Sequence, residues 1–180
     1  MNKKLIILSH CILNSYSKVE SFKDMTSHHK LVRDLLDYDY AIMQLPCPEN
    51  TVYGNKRWGH VKEQFDTPYY RRECRNLFEP FLFQIKDYIK NGVLIEAIVS
   101  IEGSPSCGNS LTCSSKMCFG ELSSNPNLSD CISDIKMIND RGIFMEEIIN
   151  TLKENNIHIP IWELNEENYT SLDDLKKSLI

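Results

Sequence analysis

Four short apolar runs, separated by stretches whose apolar residues recur at helical spacing, constrain this chain more than any other feature. Residues 5–8 read Leu-Ile-Ile-Leu and lead into a turn-rich stretch around Asn14 and Ser15. A run that short and β-prone predicts a strand. Residues 41–45 form a second, ended by Pro46 and Pro48, which have no N–H to give a ladder. Residues 93–101 supply a third, almost continuously apolar, as a strand covered on both faces would be. Residues 157–162 make the fourth.

The intervening stretches read as helices and loops. From Ser21 onward, Met25, His29, Val32, Leu35 and Leu36 repeat at helical spacing, with Ser21 or Asp24 available as cap. Residues 50–66 read as a long polar loop. Pro68 can open a helix whose apolar face runs through Leu77, Phe78, Leu82 and Ile85 until Asn91-Gly92 stops it. Residues 103–126, rich in Ser, Gly, Asn and Cys, read as a functional loop. Two shorter helical patterns follow, one with Cys131, Ile135 and Ile138 and one with Phe144, Ile148, Ile149 and Leu152. Ser171 can cap a last helix reaching Leu179. Strands alternating with helices require right-handed crossovers. The expectation is an α/β fold, a three-layer Rossmann-like sandwich with a mostly parallel sheet of about four to five strands. No repeat or linker divides residues 1–180, so a single domain is expected.

The net charge of −5 is spread along the chain rather than gathered in blocks, which leaves no electrostatic footprint for nucleic acid and favours a small-molecule partner. The N-terminal apolar run is too short for a signal sequence, and His10 stands where cleavage before Cys11 would want a small residue. No stretch is long and apolar enough to span a membrane, so a cytoplasmic protein is expected. Seven cysteines in a reducing compartment are not a disulfide set, and an odd number cannot pair completely within one chain. Cysteines with a role here should bind metal or act as thiolates.

Cys11, Cys47 and Cys107 each follow a predicted strand by a few residues. Parallel strands put their carboxyl ends at one sheet edge, where ligand sites of open α/β folds lie. Three thiolates brought together suit a soft centre, namely zinc, copper(I) or an iron-sulfur cluster. The spacing is not that of a zinc ribbon. A cubane held by three cysteines would leave one iron open for water or substrate, and Glu49, two residues after Cys47, could then shuttle protons. The competing readings are plain ones. Any of the three cysteines could be a buried small residue, Glu49 a solvated carboxylate, and Ser104 and Ser106 turn formers around Pro105. Cys113 and Cys118 share the loop after Cys107 and form a rival local set. Cys74 and Cys131 fall on apolar helix faces and read as core. Tyr53, Lys56, Arg57, Trp58 and His60 offer stacking and charge close after Glu49, though exposure without a role is the simpler reading for each. His28 and His29 are adjacent on a helix and point apart, and His158 falls in the fourth strand.

Ser9-His10-Cys11-Ile12-Leu13, Cys47-Pro48-Glu49 and Ser104-Pro105-Ser106-Cys107-Gly108 resemble, in this order, the three motifs of the 2-thiouracil desulfurase (TudS) family. The resemblance runs from Leu5 to about Gly108, and Ser-Pro-Ser-Cys-Gly is its most specific part. It implies a 4Fe-4S cluster held by Cys11, Cys47 and Cys107 with one open iron, prone to loss or replacement by zinc in air. It also implies a non-redox removal of sulfur from a thiolated small molecule, with Glu49 and Ser104 as proton-transfer and positioning groups. Asn50-Thr51-Val52-Tyr53-Gly54 replaces the Gly-Gly-Leu run expected after Cys-Pro-Glu, and His10 stands where a small residue is usual, which marks a divergent branch. The leading expectation is a thiouracil-like desulfidase. The alternative is a non-catalytic iron-sulfur or zinc protein for sulfur carriage or redox sensing.

Overall fold

The computed structural model describes residues 4–19 and 26–177. Four parallel strands, β1 (Lys4–Leu8), β2 (Ala41–Gln44), β3 (Leu94–Ile101) and β6 (Ile161–Leu164), form one sheet in the order β2-β1-β3-β6. Period-two alternation along the central strands divides the core between two faces. Leu5, Ile7 and Ile98 face α4 (Lys62–Phe65), α5 (Pro68–Lys90) and α7 (Ile143–Glu154) through Phe65, Phe78 and Phe144. Ile6, Leu8, Ala97 and Val99 face α1 (His10–Leu13), α2 (Thr26–Asp37) and α8 (Leu172–Lys177) through Ile12, Leu31, Leu35 and Leu175. The result is the expected three-layer α/β sandwich. Among the described residues no helix is long and apolar enough to cross a membrane.

The sequence marks the ends of α5 clearly. Thr67 Oγ1 accepts the Tyr70 N–H at 3.1 Å, Pro68 occupies the first helical position, and Gly92 leaves the helix at φ +74°. Elsewhere the structure departs from the pattern. Residues 50–66 are not one loop, because α3 (Pro48–Tyr53) and α4 occupy much of them. The serine-rich stretch after Gly103 contains β4 (Thr112–Ser114), which pairs antiparallel with β5 (Lys136–Ile138). Ile138 therefore sits in a strand, and α6 spans only Leu128–Ser133. The fourth sheet strand starts at Ile161 rather than at residue 157, so His158 precedes it. Pro160 marks that boundary: it has no N–H for the ladder, and its carbonyl accepts the first bond, from Ile98 N–H at 2.9 Å. The caps expected at Ser21 or Asp24, and the end of the last helix near Leu179, lie outside the described residues. Ser171 does cap α8, its Oγ accepting the Asp174 N–H at 3.2 Å.

Candidate functional site

The carboxyl ends of β1, β2 and β3 each run directly into a fixed turn that carries one of the three cysteines. After β1, the Ser9 N–H and Oγ–H both donate to the Val99 carbonyl, at 3.1 and 2.9 Å, which ties the start of α1 to the neighbouring strand. His10 Nδ1 lies 2.9 Å from the Leu45 carbonyl, and its own carbonyl accepts Gln44 Nε2 at 2.8 Å. A carbonyl only accepts, so His10 carries its proton on Nδ1. Cys11 follows in α1. Cys47 caps α3, its Sγ accepting the Asn50 N–H at 3.4 Å, with Pro48 in the first helical position and Glu49 next.

The Cys107 turn is held from three sides. Ser104 Oγ accepts the Cys107 and Ser106 N–H groups at 3.0 and 3.3 Å. The N-terminal N–H groups that α7 cannot satisfy internally are spent on the same turn. Ile143 N–H donates to Pro105 O at 3.0 Å, Met145 N–H to Ser106 O at 3.0 Å, and Gly142 N–H to Gly108 O at 2.9 Å. A Cβ on Gly142 would stand 2.4 Å from the Ser106 carbonyl carbon, so only glycine permits this approach. Glu163 on β6 accepts the Asn109 N–H at 2.6 Å and the Ser110 N–H at 3.0 Å from below.

The three turns enclose a cavity of about 250 Å³ lined by Cys11, Cys47, Cys107, Glu49, Ser104 and Ser106, with Arg57, Lys18 and Glu166 among its other walls. Burial pushes the Cys11 thiol up to about 12; Lys18 opposes the rise, and Glu166, Cys47 and Glu49 add to it. Burial likewise raises Cys47, partly offset by the Asn50 N–H and Arg57. Cys107 is raised well above the ordinary thiol value by burial and then by Cys11 and Cys47. All three side chains line this one cavity, and burial favours the neutral thiol at each of them. Among the described residues no group of three or more His, Cys, Asp or Glu side chains is arranged to hold a single metal ion.

No family model matches the chain, and no solved structure matches it. The curated protein "Uncharacterized protein MJ0003" of Methanocaldococcus jannaschii is 32% identical over 170 residues, covering 93% of this chain and 90% of that protein. The chain belongs to the MJ0003 family. The alignment spans 93% of this MJ0003-family chain, so the similarity is not confined to one motif.

Each carboxylate oxygen of Glu49 has one donor in this MJ0003-family site. Its Oε1 accepts the Ser106 hydroxyl at 2.6 Å and its Oε2 the Arg57 Nε–H at 3.1 Å. Arg57 also donates to Ser17 O at 2.7 Å and Gly54 O at 3.3 Å, so the guanidinium is fixed before it meets the carboxylate. Of the five aromatic and basic residues that follow Glu49, only Arg57 lines the cavity. Trp58 is 75% exposed. Tyr53 and His60 join Phe65 and Tyr70 in a ring cluster.

Cys74 and Cys131 are buried in the core. Cys113 on β4 has its Sγ 3.3 Å from the His60 carbonyl, and neither it nor Cys118 lines the cavity. Two features had no sequence signal. Lys18 and the buried His28 both pair with Glu166, nearly 150 residues distant, and hold it below the ordinary carboxylate range although burial acts the other way. His29 is exposed. Tyr70 is fully buried with a hydroxyl that has no hydrogen-bond partner among the described residues, an arrangement that costs about 1–3 kcal/mol.

Proposed function

We propose that this protein is a cluster-dependent, non-redox desulfidase of thiolated small molecules, of the kind the TudS resemblance implies. The observation that carries the reading is the convergence of Cys11, Cys47 and Cys107, from three separate strand ends, on one cavity that also contains Glu49. Three soft thiols with no fourth cysteine in the cavity wall fit a 4Fe-4S cluster with one ligand position left over. When bound, the cluster would supply a thiophilic Lewis acid that holds and polarises a thione.

The chain's own residues would do the rest. Water must add to the thione carbon and lose a proton as it does so, and Glu49 is the carboxylate placed to accept it. Arg57 and Ser106 anchor its two oxygens, which keeps it facing the cavity. Each carboxylate oxygen has a second lone pair free for the incoming water. Ser106 Oγ lies 3.5 Å from Cys107 Sγ, so it links the base to the ligand set. Ser104 acts through the backbone by holding the Cys107 N–H. The proton taken up by Glu49 goes to the departing sulfur, so that water and thione become a carbonyl compound and hydrogen sulfide, with no change of redox state.

The test is to incubate anaerobically reconstituted protein with 2-thiouracil in the absence of any electron donor. Catalytic release of sulfide with formation of uracil supports the desulfidase. A protein that carries the cluster but releases no sulfide from a panel of thiolated bases and thioamides would instead be a carrier or sensor.

A further inference from the structure

The fourth sheet strand also delivers a side chain to the cavity. β6 ends at Leu164, at the same sheet edge as the three cysteine turns, and Glu166 follows two residues later in the cavity wall. It lies beyond the stretch that resembles the three motifs. Its side chain is only 12% exposed, and two donors from the N-terminal part of the chain meet one of its oxygens. Lys18 Nζ and His28 Nε2 both pair with Oε1, the latter at 2.5 Å, and they keep the carboxylate charged. Oε2 has no donor among the described residues. One oxygen thus anchors the group and the other is a preset acceptor. A ligand that displaces water from the cavity leaves Oε2 unsatisfied unless the ligand itself donates to it.

The charged groups of the wall limit the ligand further. Lys18 pairs with Glu166 and Arg57 with Glu49, while Glu102 adds a third carboxylate, held by Asn165 Nδ2. His10 directs its ring proton to the Leu45 carbonyl. Among the described residues of the wall, two lysine and arginine cations thus face three carboxylates, and each cation already has its own carboxylate. A phosphate or carboxylate entering here would lose its water without gaining a cation in return. Ile101, Pro105 and Met137 supply apolar surface that suits a flat, uncharged ring.

We propose that the cavity selects an uncharged thione carrying a ring N–H, and that Glu166 is the specificity-determining residue, accepting that N–H on Oε2. This rests on the desulfidase reading above and narrows its substrate class. Thiones whose ring nitrogens are all substituted, and thiones that carry a phosphate or carboxylate, are disfavoured. Glu49 acts on the reacting carbon, whereas Glu166 binds the ring that carries it.

The experiment measures binding by titration calorimetry to anaerobically reconstituted wild-type protein and Glu166→Gln, matched for iron content. The probes are uracil, which cannot turn over, 1,3-dimethyluracil, which has no ring N–H, and orotate, which keeps both N–H groups and adds a carboxylate. Sulfide release from 2-thiouracil is followed in parallel. Wild-type protein should bind uracil about 10-fold or more tightly than either other probe, the scale of one hydrogen bond to a charged group. Glutamine keeps the shape of the side chain. Lys18 and His28, both donors, draw its carbonyl oxygen towards them and leave an NH2 where Oε2 stood. Glu166→Gln should therefore bind uracil about 10-fold or more weakly and 1,3-dimethyluracil unchanged, whereas a merely structural loss would weaken both. Wild-type protein that binds uracil no better than 1,3-dimethyluracil or orotate would overturn the inference without recourse to any variant, as would equal uracil affinities in the two proteins. Sulfide release without this discrimination overturns only the role of Glu166. The predicted discrimination without sulfide release would overturn the desulfidase reading and leave the N–H recognition standing.

Discussion

The Ser106 hydroxyl donates to Glu49 at 2.6 Å across 57 positions of sequence, which joins the turn after β3 to the helix after β2. This bond makes Glu49 and Ser106 one unit. Glu49→Gln should retain iron and sulfide but lose turnover by roughly 10²-fold or more, the usual scale for a positioned acid-base group. Ser106→Ala should lose less. The double variant should be little slower than Glu49→Gln alone, because groups that act together are not additive. Initial-rate assays of sulfide release on cluster-matched proteins check this. Full additivity would separate the two residues.

Arg57 and Glu49 form a largely buried ion pair, with side chains 4% and 13% exposed. Removing one partner strands the other, so Arg57→Ala should destabilise the protein by about 3–5 kcal/mol. The same change in a Glu49→Gln background should cost clearly less. Denaturant titration of the four proteins gives the coupling directly.

Much of the architecture was legible in the sequence because strand patterning is local. The runs at β1, β2 and β3 are bounded by Asn, Pro and Gly signals within a few residues of their true ends. The β6 boundary was not, because Ile157 and Ile159 pack apolar surface like strand residues while Pro160 delays the ladder. At the site, Cys11, Cys47, Cys107 and Glu49 could be selected from their places after strands. Long-range partners could not. Nothing near Arg57 marks it as the counterion of Glu49 rather than a surface charge, and nothing near Tyr70 distinguishes it from any core aromatic.

The raised thiol values determine how the metal-free protein responds to base. A free thiol near 9 in the unfolded chain binds fewer protons above that pH than the folded protein does, where Cys11 is pushed up to about 12 and Cys47 and Cys107 are also raised. Stability from this source is thus fully present below pH 9 and declines as pH rises from 9 towards 12. Loading has the opposite dependence: ligation expels thiol protons, so apparent metal affinity should increase with pH. Chemical denaturation and metal titration at several pH values should show these opposed trends.

Serine substitution separates the cysteines. Cys11→Ser, Cys47→Ser and Cys107→Ser should each abolish stable cluster binding. Cys113→Ser and Cys118→Ser should spare it, as should Cys74→Ser and Cys131→Ser after allowance for lost core packing. Iron retention after desalting is the readout. Loss of the cluster in Cys113→Ser or Cys118→Ser but not in Cys11→Ser would move the site into the loop after Cys107.

The most direct measurement is the iron and acid-labile sulfide content of the wild-type protein reconstituted without oxygen. The three-thiol cavity predicts about four irons and four sulfides per chain, with broad brown absorbance. Stoichiometric zinc under the same conditions, with no labile sulfide, would contradict it.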